Sequence, residues 1–309
     1  MPDRDFHIAI VGGGIGGLAL AVALTRYDIS FTLYEAAPQF GTVGAGVGLG
    51  PNALRAMDAV VPGFQEMYDR ISSGNVTPGK DHVMMDAMYI EEGFGERKGW
   101  KPVSYGAPCY NRTSAHRKDL LDILIAGVPP EKVQFRKRAT GFRQHRGGPD
   151  GEEGVTISFE DGTESRVDAV IGADGVKGLS RAAVLGERWP ELVPARYTGR
   201  YVYRSVVPMD AATAILGQDC LGNDIAGDAR MFMGPRAIIT IFPISKGTQC
   251  NLVCFILVGD QPWTHPEWTQ TVSKEEMRKD LREAGIDHRL VQMLDVTTPR
   301  SVGPSTTTP

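Results

Sequence analysis

Residues 6–35 read FHIAIV at 6–11, GGGIGG at 12–17, LALAVALTRYD at 18–28 and ISFTLYE at 29–35. A β-branched apolar run halts at a cluster of glycines. An apolar pattern with helical spacing follows, and a second β-rich run closes on an acid. The order strand, turn, helix, strand is one βαβ unit. Gly12, Gly14 and Gly17 occupy the G-x-G-x-x-G positions. Each answers a steric demand, respectively the tight turn out of the strand, close approach of a pyrophosphate to backbone, and close packing of helix on sheet. A helix starting near Ile15 aims free N–H groups and the positive end of its dipole at phosphates. Glu35, 18 positions beyond Gly17, ends the second strand where a carboxylate can accept hydrogen bonds from an adenosine ribose. Together these features specify a dinucleotide site.

Outward from this unit, AAPQFGTVGAGVGLG at 36–50 places glycines at 41, 44, 46, 48 and 50, with Val43, Val47 and Leu49 between them. Such a backbone is open to a planar or bulky ligand. Pro51 suits the first turn of a helix carrying Leu54, Met57 and Val60 or Val61. Residues 72–106 have poor periodicity around a strand at 83–90, and read as an excursion into a second domain. The next helix carries Leu120, Leu121, Leu124 and Ile125 and stops at Gly127. Arg117 falls in its first turn, unfavourable for a cation beside the helix dipole, so either an anionic partner or a plain surface position is open.

VQFRK, ATGFRQ and VTISFE read as a meander with a hairpin turn at Asp161-Gly162, delivering DAVIGADG at 168–175. This is an apolar buried strand whose end places Asp174 and Gly175 on the ligand-bearing edge of a parallel sheet, although Asp174 as a cap of the next turn stays open. Between Tyr197 and Val258, YVYRSVV, AIITIFPI and NLVCFILV alternate as strands of an antiparallel sheet. Arg204 stands among apolar neighbours there as a half-buried cation needing a partner, either a carboxylate or an anionic substrate. Ser273 and Glu276 form a capping box, and the Pro/Ser/Thr-rich run after Asp295 is expected to be disordered.

The 309 residues allow about two domains. A net charge of −4 without a basic tract argues against nucleic acid, and the glycine-broken apolar stretch at 8–24 argues against a membrane span. Cys250 and Cys254 share one strand face and, with Cys109 and Cys220, form no C-x-x-C pair. They read as buried free thiols in a reducing, cytoplasmic setting.

Four stretches resemble the class A FAD-dependent aromatic monooxygenases, most closely the salicylate hydroxylase group: IAIVGGGIGGLALAVAL with Glu35, EAAPQFGTVGAGVGLGPNALRAM, HRKDLLDIL, and IGADGVKGLSR at 171–181. The resemblance implies an α/β protein. Its Rossmann-like FAD-binding domain over 1–185, a parallel sheet plus β-meander, is joined to an antiparallel substrate domain over 186–272. A return segment and tail would fill 273–309.

It further implies that Gly12, Gly14 and Gly17 hold the FAD pyrophosphate and Glu35 its adenosine ribose. Gly46 and Val47 would bind the cofactor too and Arg117 would meet its ribityl and phosphate region, Asp174 and Gly175 would serve FAD and NAD(P)H, and Arg204 would face the aromatic substrate. NADH or NADPH and O2 would be co-substrates, with hydroxylation of a phenolic or aromatic acid through a flavin hydroperoxide. Two departures stand out. Gly178 takes a position where serine is usual, and the family's Gly-Asp-Ala-Ala-His type segment is absent, as if the chain were truncated before it. An inactive homologue that binds nucleotide weakly, and an NAD-dependent dehydrogenase, are the alternative readings.

Overall fold

The computed structural model of the chain describes residues 6–41, 46–147, 153–265, 267–296 and, for the backbone, 302–307. In chain order the strands are β1 (His7–Val11), β2 (Ser30–Glu35), β3 (Gly46–Gly48), β4 (Val83–Tyr89), β5 (Val103–Gly106), β6 (Ser114–His116), β7 (Val133–Phe135), β8 (Ala139–His145), β9 (Gly154–Phe159), β10 (Glu164–Val167), β11 (Ala169–Gly172), β12 (Arg196–Pro208), β13 (Arg230–Met233), β14 (Ala237–Ile244), β15 (Gln249–Leu257) and β16 (Val302–Thr307). The helices are α1 (Ile15–Arg26), α2 (Pro51–Val60), α3 (Phe64–Asp69), α4 (Arg117–Ile125), α5 (Leu179–Leu185), α6 (Met209–Leu216), α7 (Lys274–Glu283) and α8 (His288–Val296).

A parallel sheet runs β11-β1-β2-β7, beside a three-stranded antiparallel sheet β10-β9-β8. α1, α2, α3 and α4 bury Leu18, Leu54, Phe64 and Leu120 with Ile10 and Leu33 of the parallel strands in one core. Two readings of this region need correction. VQFRK is not part of the meander: β7 pairs parallel with β2, because its three residues continue the sheet beside Glu35 before the chain turns. Among the described residues β11 is an edge strand rather than a buried one, since it pairs there only with β1, and Ile171 is 38% exposed.

The second large sheet runs β16-β12-β15-β14-β13-β4-β5 and is antiparallel except where β13 and β4 pair in parallel. Strand alternation gives it two unlike faces. One packs Tyr203, Ile239, Leu252 and Cys254 against Leu216 of α6, Met277 and Leu281 of α7 and Leu290 of α8. The boundary placed after residue 272 therefore runs through one packed core. The other face carries Arg204, Val206, Phe242 and Asn251, in register across β12, β15 and β14. The capping box at Ser273 and Glu276 is formed. Residues 302–307, expected to be disordered, extend β12 as an antiparallel strand. Edge pairing uses backbone groups alone and needs no apolar pattern in the added segment.

Cys250 and Cys254 are buried, whereas Cys109 and Cys220 are exposed, and all four are free. Burial pushes the Cys250 thiol up to about 12 and raises that of Cys254 as well. The reactive thiolate is therefore suppressed at neutral pH. A thiol-specific chromogenic disulfide should titrate two cysteines rapidly in the native protein and four after unfolding. Four fast thiols without denaturant would place the second pair outside the core.

Candidate functional site

The carboxyl ends of β1, β2 and β11 meet at the glycine turn. Gly12 adopts φ +109°, and a Cβ there would lie 2.4 Å from the Ala173 carbonyl oxygen. A Cβ on Gly17 would lie 1.9 Å from the carbonyl oxygen of Gly12, so only glycine lets α1 approach β1 this closely. Gly14 is the N-cap of α1 and supplies no side-chain cap, and the space beside its Cα is open. The first N–H groups of α1 therefore point into free volume, the arrangement that attracts an anion.

Glu35 stands opposite. Its Oε2 accepts from the Gly13 N–H at 2.7 Å and its Oε1 from the Ala37 N–H at 2.7 Å. These two bonds hold the carboxylate rigidly and leave further lone pairs for a ligand hydroxyl. Gly12, Gly14, Glu35, Asp174 and Gly175 all line one cavity of about 840 Å³. Arg138 and Lys177 add positive charge to its wall. The Lys177 ammonium lies 3.8 Å from the Trp268 ring centroid, and burial lowers its pKa. Neither cation was singled out from the sequence. For Arg138 the signal was present in the Arg136-Lys137-Arg138 run, which follows β7 at the edge where ligands bind in parallel sheets.

Asp174 lines the cavity but spends its carboxylate locally. Oδ2 accepts from the Ser180 N–H at 3.0 Å, and Oδ1 accepts from the Ser180 hydroxyl, capping the start of α5. The departure at Gly178 has its explanation here, because a Cβ at that position would lie 2.1 Å from the Asp174 carboxyl carbon.

Gly46, Val47 and Arg117 do not reach this cavity's wall, and the structure groups them at a second place. β3 pairs with β6 as a two-stranded ribbon, with Gly46 opposite His116 and Val47 opposite Ala115, and Arg117 follows directly as the first residue of α4. The ribbon is fastened to the seven-stranded sheet. The Gly46 N–H donates to Asn251 Oδ1 at 2.6 Å, and the Ser114 hydroxyl donates to the Pro243 carbonyl at 2.7 Å. A Cβ on Gly46 would lie 2.5 Å from the Phe242 ring. One side of the glycine-rich stretch is thus open to the sheet's own side chains. Val43 and Gly44 lie outside the described residues.

Arg204 departs from expectation in one respect. It is exposed rather than half-buried, because on the long strand β12 its neighbour Tyr203 takes the inward position and turns Arg204 to the opposite face. The fully buried arginine is Arg230, ion-paired with Asp86 at 3.4 Å, Asp219 at 3.0 Å and Asp228 at 3.6 Å.

Residues 10–58 match the NAD(P)-binding Rossmann-like domain family. An FAD-dependent monooxygenase of Gibberella moniliformis is 32% identical over 296 residues, covering 94% of this chain and 64% of that protein. A salicylate hydroxylase of Pseudomonas putida is 36% identical over 277 residues, covering 88% of this chain and 60% of that protein. Over most of its length the chain is similar to FAD-dependent monooxygenases, salicylate hydroxylase among them. A solved salicylate hydroxylase in complex with its substrate superposes on the chain with a TM-score of 0.72 at 24% identity, covering 97% of the chain and 68% of the other. The likeness extends through both sheets, so the Rossmann-like α/β fold with a second sheet is shared. The chain spans less than two thirds of the length of these curated relatives. Among the described residues, no helix is long and apolar enough to cross a membrane.

Proposed function

We propose that this protein is an FAD-dependent, NAD(P)H-using monooxygenase acting on a small phenolic or aromatic acid of the salicylate type. The observation that carries the reading is the cavity at the glycine turn, where Glu35 is tethered to Gly13 across from the uncapped start of α1. Its chemistry fits the adenosine and pyrophosphate half of FAD. A fixed carboxylate accepts ribose hydroxyls, backbone N–H groups meet phosphate oxygens, and Arg138 and Lys177 offset the negative charge. FAD, when bound, supplies the electron transfer and oxygen activation that no side chain can perform.

The chain's own residues bind and orient. Gly12, Gly14 and Gly17 let backbone and phosphates approach. Asp174 and Gly175 shape the turn beside the phosphates, with Asp174 acting through its cap on Ser180. Gly46, Val47 and Arg117, gathered by the β3–β6 ribbon, would border the rest of the cofactor between the cavity and the sheet. Arg204, exposed on the sheet face turned toward that ribbon, would attract the substrate's negative charge. The first unit would thus hold the cofactor and the seven-stranded sheet the substrate.

FAD titration of the purified protein, followed by flavin fluorescence, tests the reading. Glu35→Ala is expected to weaken FAD binding about tenfold or more, as for one or two charge-assisted hydrogen bonds. Substrate-stimulated NAD(P)H oxidation should accompany FAD loading. Tight binding of NAD in place of FAD would favour the dehydrogenase alternative and sink this one. FAD affinity unchanged in Glu35→Ala would remove the ribose role.

A further inference from the structure

A nicotinamide nucleotide used alongside FAD needs a place of its own, because the sequence holds one G-x-G-x-x-G unit and the cavity at that turn is taken up by the flavin nucleotide. A second cavity, of about 660 Å³, adjoins the first. Ala195 and Trp268 belong to the walls of both. It lies where the start of β12 meets the chain leaving β15. Gly199 adopts φ +71° and Gly259 φ +64°, and a Cβ on Gly199 would lie 2.1 Å from the Gly259 carbonyl oxygen, so the two segments meet through backbone alone. The pairing of β12 with β16 shifts register between Tyr197 and Tyr201, an irregularity of the kind that re-aims side chains.

Aromatic rings line this second cavity. The centroids of Tyr197 and Trp263 are 5.9 Å apart with the planes at 53°, and His265 lies 6.5 Å from Trp263. The Trp263 Nε1–H donates to the Glu267 carbonyl at 3.0 Å, which fixes the indole. Tyr197, Trp263 and Trp268 are half-buried, and rings tilted in this way do not cover one another's faces. A flat base can stack on such a surface whatever its sequence of ring atoms. Two charges flank the rings. The Lys177 ammonium sits over Trp268, at the seam between the two cavities, with no ion pair to a described residue. The Asp260 carboxylate is exposed in the wall of the second cavity and bonds to no described group. Stacking surface, a carboxylate for hydroxyls and a cation for phosphate together match an adenine nucleotide.

We propose that this cavity docks the adenine nucleoside of the pyridine nucleotide, with Tyr197 and Trp263 against the base, Asp260 accepting from the ribose hydroxyls and Lys177 meeting the pyrophosphate. The proposal rests on the reading of the protein as an FAD enzyme that draws on NAD(P)H. Only the adenine end can lodge here, because the cavity borders the adenosine and pyrophosphate half of the FAD site, whereas nicotinamide has to reach the flavin ring. The site also chooses between the two nucleotides. A carboxylate accepts from the 2′-hydroxyl of NADH and repels the 2′-phosphate of NADPH, the same discrimination that an acid makes in dinucleotide-binding folds. NADH is therefore the preferred form.

Calorimetric titration with ADP-ribose and with its 2′-phosphate tests this without turnover, since both carry the adenine nucleoside and pyrophosphate and neither carries nicotinamide. The 309-residue protein, with FAD supplied, should bind ADP-ribose about tenfold or more tightly than the 2′-phosphate, as for one charge-assisted hydrogen bond kept or lost. Trp263→Leu should weaken ADP-ribose binding about tenfold or more, the loss expected of a base–aromatic stack, with FAD affinity unchanged. Asp260→Asn, at an exposed position, should keep ADP-ribose binding and shrink the preference severalfold. Glu35→Ala should weaken FAD and leave ADP-ribose as it was. ADP-ribose binding lost in Glu35→Ala and kept in Trp263→Leu would put the ligand at the glycine turn and overturn the proposal. Equal affinity of the wild-type protein for the two ligands, or no binding of ADP-ribose, overturns it without any variant having to fold. Failure to bind FAD would count against the cofactor reading alone, because the responses of Trp263→Leu and Asp260→Asn to ADP-ribose are read with or without flavin.

Discussion

Gly17→Ala is expected to cost roughly 3 kcal/mol or more of folding stability, at or beyond the upper end for overpacking a core. The added methyl would sit 1.9 Å from the Gly12 carbonyl oxygen, and both partners are backbone, so no rotamer change can relieve the clash. Either α1 must lift off β1 or the turn that shapes the cavity must open. For a chain of this length the thermal midpoint should fall by about 5 °C or more, and FAD binding should suffer with it. Gly16→Ala supplies the control, since a Cβ there meets nothing within 4 Å and alanine is the better helix residue. Similar melting temperatures for the two variants would show that the close approach of α1 to β1 is wrong.

Arg230→Met is the second large effect, expected at about 3–5 kcal/mol because it leaves buried carboxylates without their counterion. Asp86, Asp219 and Asp228 would then share Lys80 alone, which pairs with Asp86 at 2.5 Å and Asp228 at 3.2 Å. Burial opposes ionisation of Asp219. The N–H groups of Asn223 and Leu221 together with Arg230 outweigh it and hold the carboxyl below its usual range. For Asp228, burial is likewise outweighed by bonds from Thr77 and by Lys80. A depressed carboxyl pKa contributes stability above its unfolded value, near 3.9, and loses it as pH falls through the folded value. The wild-type protein should therefore keep this contribution down to about pH 4. In Arg230→Met the carboxylates protonate at higher pH, so the gap in melting temperature between the two should be wide at pH 7 and narrow on acidification. Arg204→Met, at an exposed position, should stay within about 0.5 kcal/mol of wild type. A gap independent of pH would mean that Arg230 matters for packing and not for charge.

These two arginines show where sequence reasoning succeeds and where it stops. Gly12, Gly17 and Glu35 were legible because a βαβ unit is local: its turn, helix and second strand follow within 30 residues, and each glycine has a steric cause. The capping box at Ser273 was legible for the same reason. Arg204 drew attention because its immediate neighbours are apolar, yet strand alternation turned it outward. Arg230 has carboxylate partners at 86, 219 and 228, and no pattern along the chain announces a pairing across 144 residues. β7 was misassigned because three residues cannot show whether they pair parallel or antiparallel. β16 left no trace because edge pairing uses the backbone.

The β3–β6 ribbon has one more consequence, in the nature of a tolerance. Three residue pairs set how far the glycine turn and the Phe242 face stand from each other. A slip of a single residue would move the ribbon by about 3.4 Å and turn every side chain on it to the opposite side. The Asn251 bond to Gly46 leaves no slack for such a slip, because any Cβ at position 46 would strike Phe242. The ribbon thus behaves as a gauge block between two workpieces that Lys246, bonded to the Asp69 carbonyl, also helps to clamp. An insertion of one residue into it should leave each sheet folded while throwing the two halves of the site out of alignment.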